Sequence, residues 1–342
     1  MATPSMTTPS GTGIKIGLSV HSMIDPRWAR DVNEIPEQAK RMGVRVVVEN
    51  ASGSATRQNQ QCEKLIAEGV QALIVIALDA ASAAKAVEAA QRRGIPVVAY
   101  ERMILNCDLP LYVGFDTLKV GELLCRYALQ RAPRGNYIFL DGDPKDNNAV
   151  LIRQQRQKHM QPAIDAGDIH PVAELWMEGW SMSQAWQATR ETLKKHPQIA
   201  CVLAASDNIA EGACQALSDA GLRGSVLVTG QDGLLGAVQR ILRGEQTMSI
   251  YKPIPLLARA AVEGALALIQ HQPLHATCAL NNGRQDVKCL LISNTPVVDK
   301  QNVLEVVTGP NGAFTQQQVL GSLPQKLWPA TALAAAPAAA AS

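Results

Sequence analysis

The stretch Pro96-Val97-Val98-Ala99-Tyr100-Glu101-Arg102-Met103 joins a short apolar run to an acid and a base. The run predicts a buried strand, and open α/β sheets bind ligands at the carboxyl ends of their strands. A carboxylate that accepts hydrogen bonds, next to a guanidinium fork that donates them, suits a neutral polyol. Taken alone, the same dipeptide is also explained by a surface ion pair at a strand end. The surrounding chain decides between the two interpretations.

Strands and helices alternate on both sides of this stretch. Apolar runs predict strands at residues 15–20, 44–49, 72–77, 96–100 and 111–115, with helices between them at residues 26–43, 56–69 and 81–94. Strands that are apolar throughout are typical of a parallel sheet with helices on both faces. The first part of the chain is therefore predicted to be α/β.

The same alternation starts again after Phe115. Helices are predicted at residues 116–131, 149–166, 183–195, 209–220 and 234–242, and strands at residues 136–140, 172–175, 201–204 and 226–229. A further helix at residues 254–269 and short strands at residues 287–292 and 303–307 follow this second half. Additional elements after two complete halves suggest that the chain crosses back between two lobes. The sequence thus predicts two doubly wound α/β lobes with parallel sheets.

Composition limits the classes of protein to which the chain can belong. Its 342 residues suffice for two domains, and 47% of them are hydrophobic. A net charge of +2 without a basic block argues against nucleic-acid binding. No apolar run reaches the length of a membrane-spanning helix. The seven cysteines are scattered singly, without CxxC or metal-ligand spacing, which predicts buried free thiols.

Both ends of the chain are expected to lie outside the folded lobes. Residues 1–13 are rich in Thr, Pro, Ser and Gly, and they predict a flexible lead without the charged and apolar regions of a signal peptide. The chain becomes rich in alanine from about Leu327 onwards. We therefore expect the tail at residues 311–342 to be partly disordered.

Polar and aromatic side chains gather at the predicted strand ends. In chain order they are His21, Arg27, Trp28, Glu101, Arg102, Asp141, Asp146, Asn147, Asn148, Arg153, Trp176, Trp180, Ser206, Asp207, Gln231, Asp232 and Lys252. Planar polar groups can pair with adjacent hydroxyls, and an indole face suits the apolar face of a pyranose. Helix N-capping explains Asp146 or Asp207 equally well, but it does not explain the accompanying arginines, tryptophans and lysine.

Motifs for catalysis are missing from the sequence. It contains no GxSxG, no P-loop, no HExxH and no GxGxxG after a strand. The six histidines show no metal-ligand spacing, and only His21 falls at the expected binding edge. A glycosidase-like pair of carboxylates is the remaining catalytic alternative, but nothing in the sequence places two of them at a suitable separation. We therefore predict no catalytic residue, no metal and no cofactor.

A series of short stretches together resembles one known family. They are Arg27-Trp28, Tyr100-Glu101-Arg102-Met103-Ile104, Gly114-Phe115-Asp116, Val120-Gly121-Glu122-Leu123, Asp146-Asn147-Asn148-Ala149, Gly179-Trp180, Gly230-Gln231-Asp232, Gln246-Thr247-Met248, Tyr251-Lys252-Pro253-Ile254 and Leu280-Asn281-Asn282-Gly283. In this order and spacing they resemble the periplasmic sugar-binding proteins of bacterial ABC transporters, in the ribose/galactose/xylose group, and most closely the D-xylose-binding members. The resemblance covers roughly residues 14–308.

This resemblance implies a type I periplasmic binding protein fold, also called a Venus-flytrap fold. Two lobes would be joined by three crossovers, near residues 114–116, 249–252 and 281–285. The N-terminal lobe would comprise residues 14–114 and 252–281, and the C-terminal lobe residues 115–251 and 282–310. Sugar is expected to bind between the lobes.

The resemblance also implies which residues bind the ligand. The binding positions of the family correspond to Arg27, Glu101, Arg102, Asn147 or Asn148, Arg153, Trp180, Ser206, Asp207, Asp232 and Lys252, with Trp28 as a stacking or wall residue. The D-xylose-binding members carry Asp in place of Glu101 and Asn in place of Ser206. The expected ligand is therefore D-xylose or a related aldopyranose.

This resemblance implies that the protein is a non-enzymatic, monomeric receptor in the periplasm. It also implies that the export signal has been removed from the chain. The receptor would deliver a monosaccharide to an ABC transporter permease. The alternative is a sugar-sensing receptor that signals occupancy to a membrane sensor kinase, since only the partner distinguishes the two. The effector domain of a sugar-responsive repressor shares the fold, but it normally follows a helix-turn-helix, for which residues 1–13 are too few.

Overall fold

The computed structural model describes residues 13–24 and 26–328, which divide into two units. Within the described residues, unit 1 comprises residues 13–24, 26–114 and 254–291, and unit 2 comprises residues 115–253 and 292–328. The chain therefore passes between the units after Gly114, Pro253 and Leu291. Of the flexible lead expected at residues 1–13, only Gly13 lies within the described part, and residues 329–342 of the expected tail also lie outside it.

Strands and helices alternate through most of the described chain. The strands are β1 (Lys15–Val20), β2 (Arg45–Asn50), β3 (Ala72–Ile76), β4 (Val97–Tyr100), β5 (Leu111–Phe115), β6 (Gly135–Asp141), β7 (Ile169–Trp176), β8 (Cys201–Ala204), β9 (Leu227–Val228), β10 (Gln231–Asp232), β11 (Met248–Tyr251), β12 (Cys278–Asn281), β13 (Asp286–Ile292) and β14 (Val297–Asp299). The helices are α1 (Pro26–Arg41), α2 (Ala55–Ala67), α3 (Ala84–Gln91), α4 (Thr117–Arg131), α5 (Asn147–Asp165), α6 (Met182–Lys195), α7 (Asp207–Asp219), α8 (Leu235–Arg243), α9 (Ile254–Ile269), α10 (Val303–Thr308) and α11 (Gln316–Leu320). Short 3₁₀ turns occur at Glu178–Trp180 and Gln325–Leu327.

Unit 1 contains a seven-stranded sheet in the order β12-β13-β5-β4-β3-β1-β2. Neighbouring strands from β1 to β5 run parallel, whereas β12 and β13 form an antiparallel hairpin at one edge. Every residue of β3 is buried, as expected for a strand that is covered on both faces. Helices α1 and α9 pack against each other, and Ile35 and Ala39 of α1 are fully buried. The parallel α/β architecture predicted from the sequence is thus confirmed.

Unit 2 contains two smaller sheets. One has the order β7-β6-β8-β9 and is parallel throughout. The other has the order β10-β11-β14, in which β10 and β11 run parallel and β14 runs antiparallel. Helices pack in the pairs α4 with α5 and α6 with α7. The core of this unit includes the fully buried Ile138, Val202 and Val228 on three neighbouring strands.

The strand predicted at residues 303–307 is wrong, because this segment forms helix α10. Its buried residues Val303, Leu304 and Val307 recur with helical spacing and pack on side chains of α8 and α11. Burial of this face outweighs the preference of valine for strands.

The third passage between the units lies after Leu291, whereas the sequence places it near residues 281–285. Strands β12 and β13 pair as a hairpin at the edge of the unit 1 sheet, so residues 282–291 stay in that unit. Sequence analysis missed β12 because this edge strand alternates between half-buried and exposed residues and has no apolar run.

Two predictions from composition can also be compared with the structure. All seven cysteines are free, and six of them are buried, which confirms the prediction for those six; Cys278 is partly exposed. No helix among the described residues combines the length and the apolar character needed to cross a bilayer.

Close packing of α6 against α7 requires a glycine at position 212. A Cβ on Gly212 would lie 2.1 Å from the carbonyl oxygen of Met182 and 2.8 Å from the backbone nitrogen of Trp186. Backbone atoms cannot move aside without disturbing both helices. Gly212→Ala is therefore expected to lower the free energy of unfolding by about 1–3 kcal/mol, measured by urea denaturation.

Gly236 in α8 provides the matched control. The nearest atom to a Cβ at this position is the end of the Arg240 side chain, at 3.3 Å. Gly236→Ala should leave the stability unchanged or raise it by up to about 1 kcal/mol, because alanine favours the helix. Equal losses in the two variants would contradict the packing explanation.

Candidate functional site

Polar residues that follow β1 and β4 meet in one place in unit 1. Arg27, in the first turn of α1, donates from Nη1 to Oε1 of Glu101 over 2.9 Å, and both side chains are buried. Glu101 directly follows β4, so this ion pair joins two carboxyl ends of the sheet. The acid of the Glu101-Arg102 dipeptide is thus engaged by an arginine from another element. We call His21, Arg27, Trp28, Glu101 and Arg102 the unit 1 cluster.

Trp28 is the aromatic centre of the unit 1 cluster. The guanidinium carbons of Arg27 and Arg102 lie 4.7 Å and 5.0 Å from the centroid of its ring. Cations at this distance from an indole are attracted by its π system. Arg102 also donates from Nη1 to the carbonyl oxygen of Ala77 over 3.2 Å. Trp28 therefore helps to fix the positions of both guanidinium groups.

His21 packs against the edge of the same indole. Its ring centroid lies 4.9 Å from that of Trp28, with an angle of 77° between the planes. The residue is only 6% exposed. Within residues 13–24 and 26–328, neither ring nitrogen has a hydrogen-bond partner. Burial, followed by the charges of Arg102 and Arg27, lowers the pKa of His21 well below its usual value. The neutral imidazole offers one donor and one acceptor.

A second acid, Asp31, contacts Arg27 from within helix α1. It is fully buried, its Oδ2 lies 3.7 Å from Nε of Arg27, and the Tyr100 hydroxyl donates to its Oδ1. Burial raises the pKa of Asp31 to about 6, against the opposing effects of the Arg27 charge and the Tyr100 hydrogen bond. Sequence analysis missed Asp31, although its spacing of four residues from Arg27 on a helix was a usable signal.

Three residues of the predicted site have a left-handed backbone. The φ angles are 63° at Glu101, 57° at Trp180 and 104° at Asp232. Residues other than glycine rarely adopt this conformation, which costs on the order of 1–3 kcal/mol. Strained positions of this kind concentrate at binding sites, where the surrounding structure holds them in place. Ser52, Asn106 and His271, outside the predicted site, also have positive φ angles, so the conformation alone does not identify a site.

Helix N-caps account for two of the polar residues in unit 2. Asp146 accepts from the backbone N–H of Asn148 at the start of α5, which confirms the capping interpretation for this residue. At the start of α7 the N-cap is Ser206, whose Oγ accepts from the backbone N–H of Ile209. Asp207 is therefore not the cap that the sequence suggested as an alternative.

The carboxylate of Asp207 is engaged entirely within unit 2. It is fully buried and accepts from the backbone N–H of Leu234 over 2.9 Å, from Nε2 of Gln246 over 2.9 Å and from Oγ of Ser249 over 2.8 Å. Burial, with a contribution from the charge of Asp232, raises the pKa of Asp207 to about 7. These bonds fix the starts of α7, α8 and β11 to one another.

Asp232 and Lys252 form a buried ion pair. Asp232 ends β10, and Lys252 follows β11, the parallel neighbour of β10. Nζ of Lys252 lies 3.2 Å from Oδ1 of Asp232, and the residues are 5% and 8% exposed. The same ammonium group lies 5.4 Å from the centroid of the Phe115 ring. Two residues that sequence analysis assigned to the site from separate strand ends are thus in direct contact.

Trp180 lies in the turn that follows β7. A Cβ on Gly142 would come within 2.4 Å of the indole, so the ring can occupy this position only above a glycine. The backbone N–H of Gly179 donates to Oδ2 of Asp143 over 2.8 Å and fixes the turn. The indole N–H is buried and has no hydrogen-bond partner among the residues described. An indole face with an available donor suits a ligand that has both apolar and hydroxyl surfaces.

Arg153 belongs to an ion network. Its Nη1 contacts Oδ2 of Asp141 at 2.8 Å, and its Nη2 contacts Oε1 of Glu174 at 2.6 Å. Arg156 contacts the same two carboxylates at 3.0 Å and 2.6 Å. The guanidinium of Arg153 also lies 4.7 Å from the ring centroid of Trp176. Sequence analysis missed Arg156 and Glu174, although two arginines three residues apart on one helix share a face.

Asn147 and Asn148 open helix α5 after β6. Asn148 is buried, and its Oδ1 accepts from Oγ1 of Thr117 over 3.0 Å, whereas Asn147 is partly exposed. The hydrogen bond from Thr117 therefore fixes the orientation of the Asn148 amide.

The predicted site residues thus fall into two sets that follow parallel strands. Unit 1 contains Arg27, Trp28, Glu101 and Arg102, and unit 2 contains Asn147, Asn148, Arg153, Trp180, Ser206, Asp207, Asp232 and Lys252. Their chemistry is that of paired charges, amides and indole rings. Among the described residues, no group of His, Cys, Asp and Glu side chains could hold a metal ion.

Comparison with known proteins identifies the family and the fold of the chain. Residues 16–273 match the family described as periplasmic binding protein domain. The chain belongs to this family. The α/β architecture with mostly parallel sheets is the type I fold of periplasmic binding proteins, as the resemblance in the sequence implied.

Two relatives in this family are D-xylose-binding periplasmic proteins. The protein of Escherichia coli (strain K12) is 38% identical over 296 residues, which cover 86% of this chain and 89% of the relative. The protein of Haemophilus influenzae is 37% identical over 308 residues, which cover 90% of this chain and 92% of the relative. The recognition of the D-xylose-binding group from short sequence stretches is thus confirmed.

Solved structures of solute binding proteins have the same fold. A carbohydrate transporter solute binding protein of Chloroflexus aurantiacus, solved in complex with D-glucose, has a TM-score of 0.84 at 26% identity and covers 90% of this chain and 98% of that chain. An ABC transporter solute binding protein of Clostridium phytofermentans, with bound β-D-glucose, has a TM-score of 0.81 at 26% identity and covers 89% and 99% of the two chains.

Removal of the Tyr100 hydroxyl should destabilise the protein in a pH-dependent way. Its hydrogen bond lowers the pKa of Asp31, so Tyr100→Phe raises that pKa further above its value of about 6. An aspartate whose pKa is higher in the folded state than in the unfolded state destabilises the fold as the pH rises through that interval. We expect urea denaturation to show a loss of about 1–3 kcal/mol at about pH 8 and a smaller loss at about pH 5.

Tyr137→Phe is the control for this experiment. The Tyr137 hydroxyl donates to the neutral carbonyl oxygen of Ala132 over 2.5 Å, so its loss should cost the same at both pH values. If the loss in Tyr100→Phe were equally independent of pH, the charge of Asp31 would not be what this hydroxyl stabilises.

Proposed function

We propose that the chain is a periplasmic receptor that binds a monosaccharide, D-xylose or a related aldopyranose, without changing it chemically. The observation that carries this proposal is the unit 1 cluster, in which two guanidinium groups and a neutral imidazole contact one indole, and a carboxylate pairs with one of the guanidinium groups. The names of the relatives at 37% and 38% identity support this class of sugar.

Charges of both signs make the unit 1 cluster suitable for a neutral polyol. The guanidinium groups donate to hydroxyl oxygens, and the carboxylate of Glu101 accepts from hydroxyl protons. Hydrogen bonds to charged groups are roughly twice as strong as those between neutral groups. Because Trp28, Tyr100 and Asp31 already hold these side chains, binding requires little additional side-chain ordering. An anionic ligand would be opposed by the carboxylate.

Unit 2 would supply complementary contacts. The Asp232–Lys252 pair offers a charged acceptor and a charged donor, and Trp180 offers an indole face with an available N–H. We assign Asp207 a positioning role rather than a direct contact, because its oxygens already accept from donors within unit 2. Arg153 would act at the margin of the site, since its guanidinium is shared with two carboxylates.

We infer that the receptor is monomeric and serves an ABC transporter permease. The solved structures that share its fold include an ABC transporter solute binding protein with bound sugar, which supports this role.

Titration calorimetry at 25 °C tests the proposal directly. The purified protein is titrated with D-xylose, D-glucose, D-ribose, L-arabinose and D-galactose, and the sugar is then recovered and analysed by chromatography. We expect one sugar, with D-xylose leading, to bind with a Kd of about 1 µM or tighter and to be recovered unchanged. The absence of binding by all five sugars, or chemical conversion of any of them, would overturn the proposal.

His21 is expected to contribute to this binding. Its neutral ring can donate to one hydroxyl and accept from another. His21→Ala should weaken binding of the leading sugar by about 5-fold, because a typical hydrogen bond contributes about 1 kcal/mol. His170→Ala, at an exposed position in unit 2, is the matched control and should leave the Kd unchanged. An unchanged Kd in His21→Ala would remove this residue from the site.

Ser206→Asn tests the choice of sugar without a loss of fold. Asn caps helices as well as Ser does, so the start of α7 should be preserved. Because the resemblance found in the sequence implies Asn at this position in the D-xylose-binding group, we expect Ser206→Asn to raise the affinity for D-xylose relative to the other four sugars. Ser54→Asn replaces the N-cap of α2 in unit 1 and should change neither ranking nor affinity. The same change in ranking in both variants would exclude a local effect of Ser206.

A further inference from the structure

Cys278 and Cys289 face each other across two neighbouring strands of unit 1. Strands β12 and β13 pair antiparallel, and their register places Cys278 directly opposite Cys289. Side chains of directly opposite residues lie on the same face of a sheet. Both thiols accordingly contact the same apolar cluster of this unit. Sequence analysis treated the cysteines as isolated, because their pairing depends on the strand register.

The geometry of this ladder matches the requirements of a disulfide. Directly opposite residues in an antiparallel pair have Cα atoms about 4.5 Å or 5.5 Å apart. Disulfide-linked cysteines usually have Cα atoms about 4.4–6.8 Å apart. Burial, the neighbouring Cys278 thiol and a hydrogen bond between the two side chains raise the pKa of Cys289 to about 12. The two sulfur atoms are thus close enough to interact.

The pair is also accessible from one side. Cys278 lies on the edge strand β12 and is the only one of the seven cysteines that is not buried. Cys289 is fully buried directly beside it. An oxidant in solution can therefore reach Cys278 first, and Cys289 is in place to complete the reaction.

We propose that Cys278 and Cys289 form a disulfide that ties the edge strand β12 to β13. The Cys278 thiolate attacks one sulfur of a disulfide oxidant, either a protein disulfide or a small-molecule disulfide, and releases one thiol from it. The Cys289 thiolate then displaces the second thiol from the mixed disulfide, so the oxidant takes up two electrons and two protons in total. The oxidising periplasm, which belongs to the proposed function, favours this state.

This bond would strengthen an exposed edge of unit 1. An edge strand has unpaired backbone groups on one side and can pair with other chains when it separates from its sheet. The link closes the β12–β13 hairpin just before the chain enters unit 2 after Leu291. A covalently closed loop has fewer conformations in the unfolded state, which stabilises the fold.

Peptide mapping of the full-length protein tests the proposal. One sample is incubated with oxidised glutathione and another with dithiothreitol, and both are unfolded in an alkylating agent and digested. We expect the oxidised sample to contain one cross-linked peptide pair, joined through Cys278 and Cys289. Its melting temperature should be about 5 °C above that of the reduced sample. Complete alkylation of both cysteines after oxidation, glutathione retained on Cys278, or a cross-link between other cysteines would overturn the proposal.

Two serine variants complete the experiment. Cys278→Ser, at the partly exposed position, should lose the cross-link and the redox dependence of the melting temperature. Cys214→Ser removes a thiol that donates to the carbonyl oxygen of Glu245 over 3.2 Å in unit 2, and it should keep both properties. A redox-dependent melting temperature that persists in Cys278→Ser would contradict the assignment. Because the cross-link is detected without sugar, its absence and a failure of sugar binding are separate results.

Discussion

The guanidinium of Arg27 makes it possible to bury two acids in unit 1. It pairs with Glu101 at 2.9 Å and lies 3.7 Å from Asp31. Buried carboxylates destabilise a fold strongly unless they are paired and hydrogen-bonded. The charges of Arg27 and Arg30 and the Tyr100 hydroxyl do not fully offset the burial of Asp31, and its pKa therefore stays raised, to about 6.

In unit 2, neutral hydrogen-bond donors stabilise the buried carboxylate of Asp207. Asp207 accepts from a backbone N–H, an amide and a hydroxyl, and its pKa is raised to about 7. A Cβ on Gly230 would lie 2.2 Å from Oδ1 of Asp207, so only glycine leaves room for this carboxylate. The Gly230-Gln231-Asp232 stretch thus combines two functions. Gly230 leaves room for the carboxylate of Asp207, and Asp232 forms the ion pair with Lys252.

The sequence predicted the positions of the polar residues better than it predicted their partners. Continuous apolar runs locate the parallel strands, so residues that follow them, such as Glu101 in unit 1 and Asp232 in unit 2, could be assigned to the carboxyl edges of their sheets. The ion pair of Glu101 with Arg27 could not be read in the same way, because it joins elements that are distant in sequence. Helix α10 and strand β12 were missed because burial by neighbouring elements, rather than local pattern, determines their conformation.

The strained backbone of Glu101 depends on the last strand before the chain leaves unit 1. The N–H of Glu101 donates to the carbonyl oxygen of Val113 over 2.7 Å, and its own carbonyl oxygen accepts from the Tyr112 hydroxyl over 2.9 Å. These two bonds from β5 hold a φ of 63° that the residue would otherwise avoid.

The Tyr112 hydroxyl can reach Glu101 only because residue 114 is a glycine. A Cβ on Gly114 would lie 2.1 Å from that hydroxyl oxygen. Gly114 is also the residue after which the chain passes to unit 2. The first passage between the units and the acid of the unit 1 cluster are therefore connected through a single side chain. A change in backbone at Gly114 would reach the backbone of Glu101 through Tyr112, which gives this passage a direct physical influence on the unit 1 cluster.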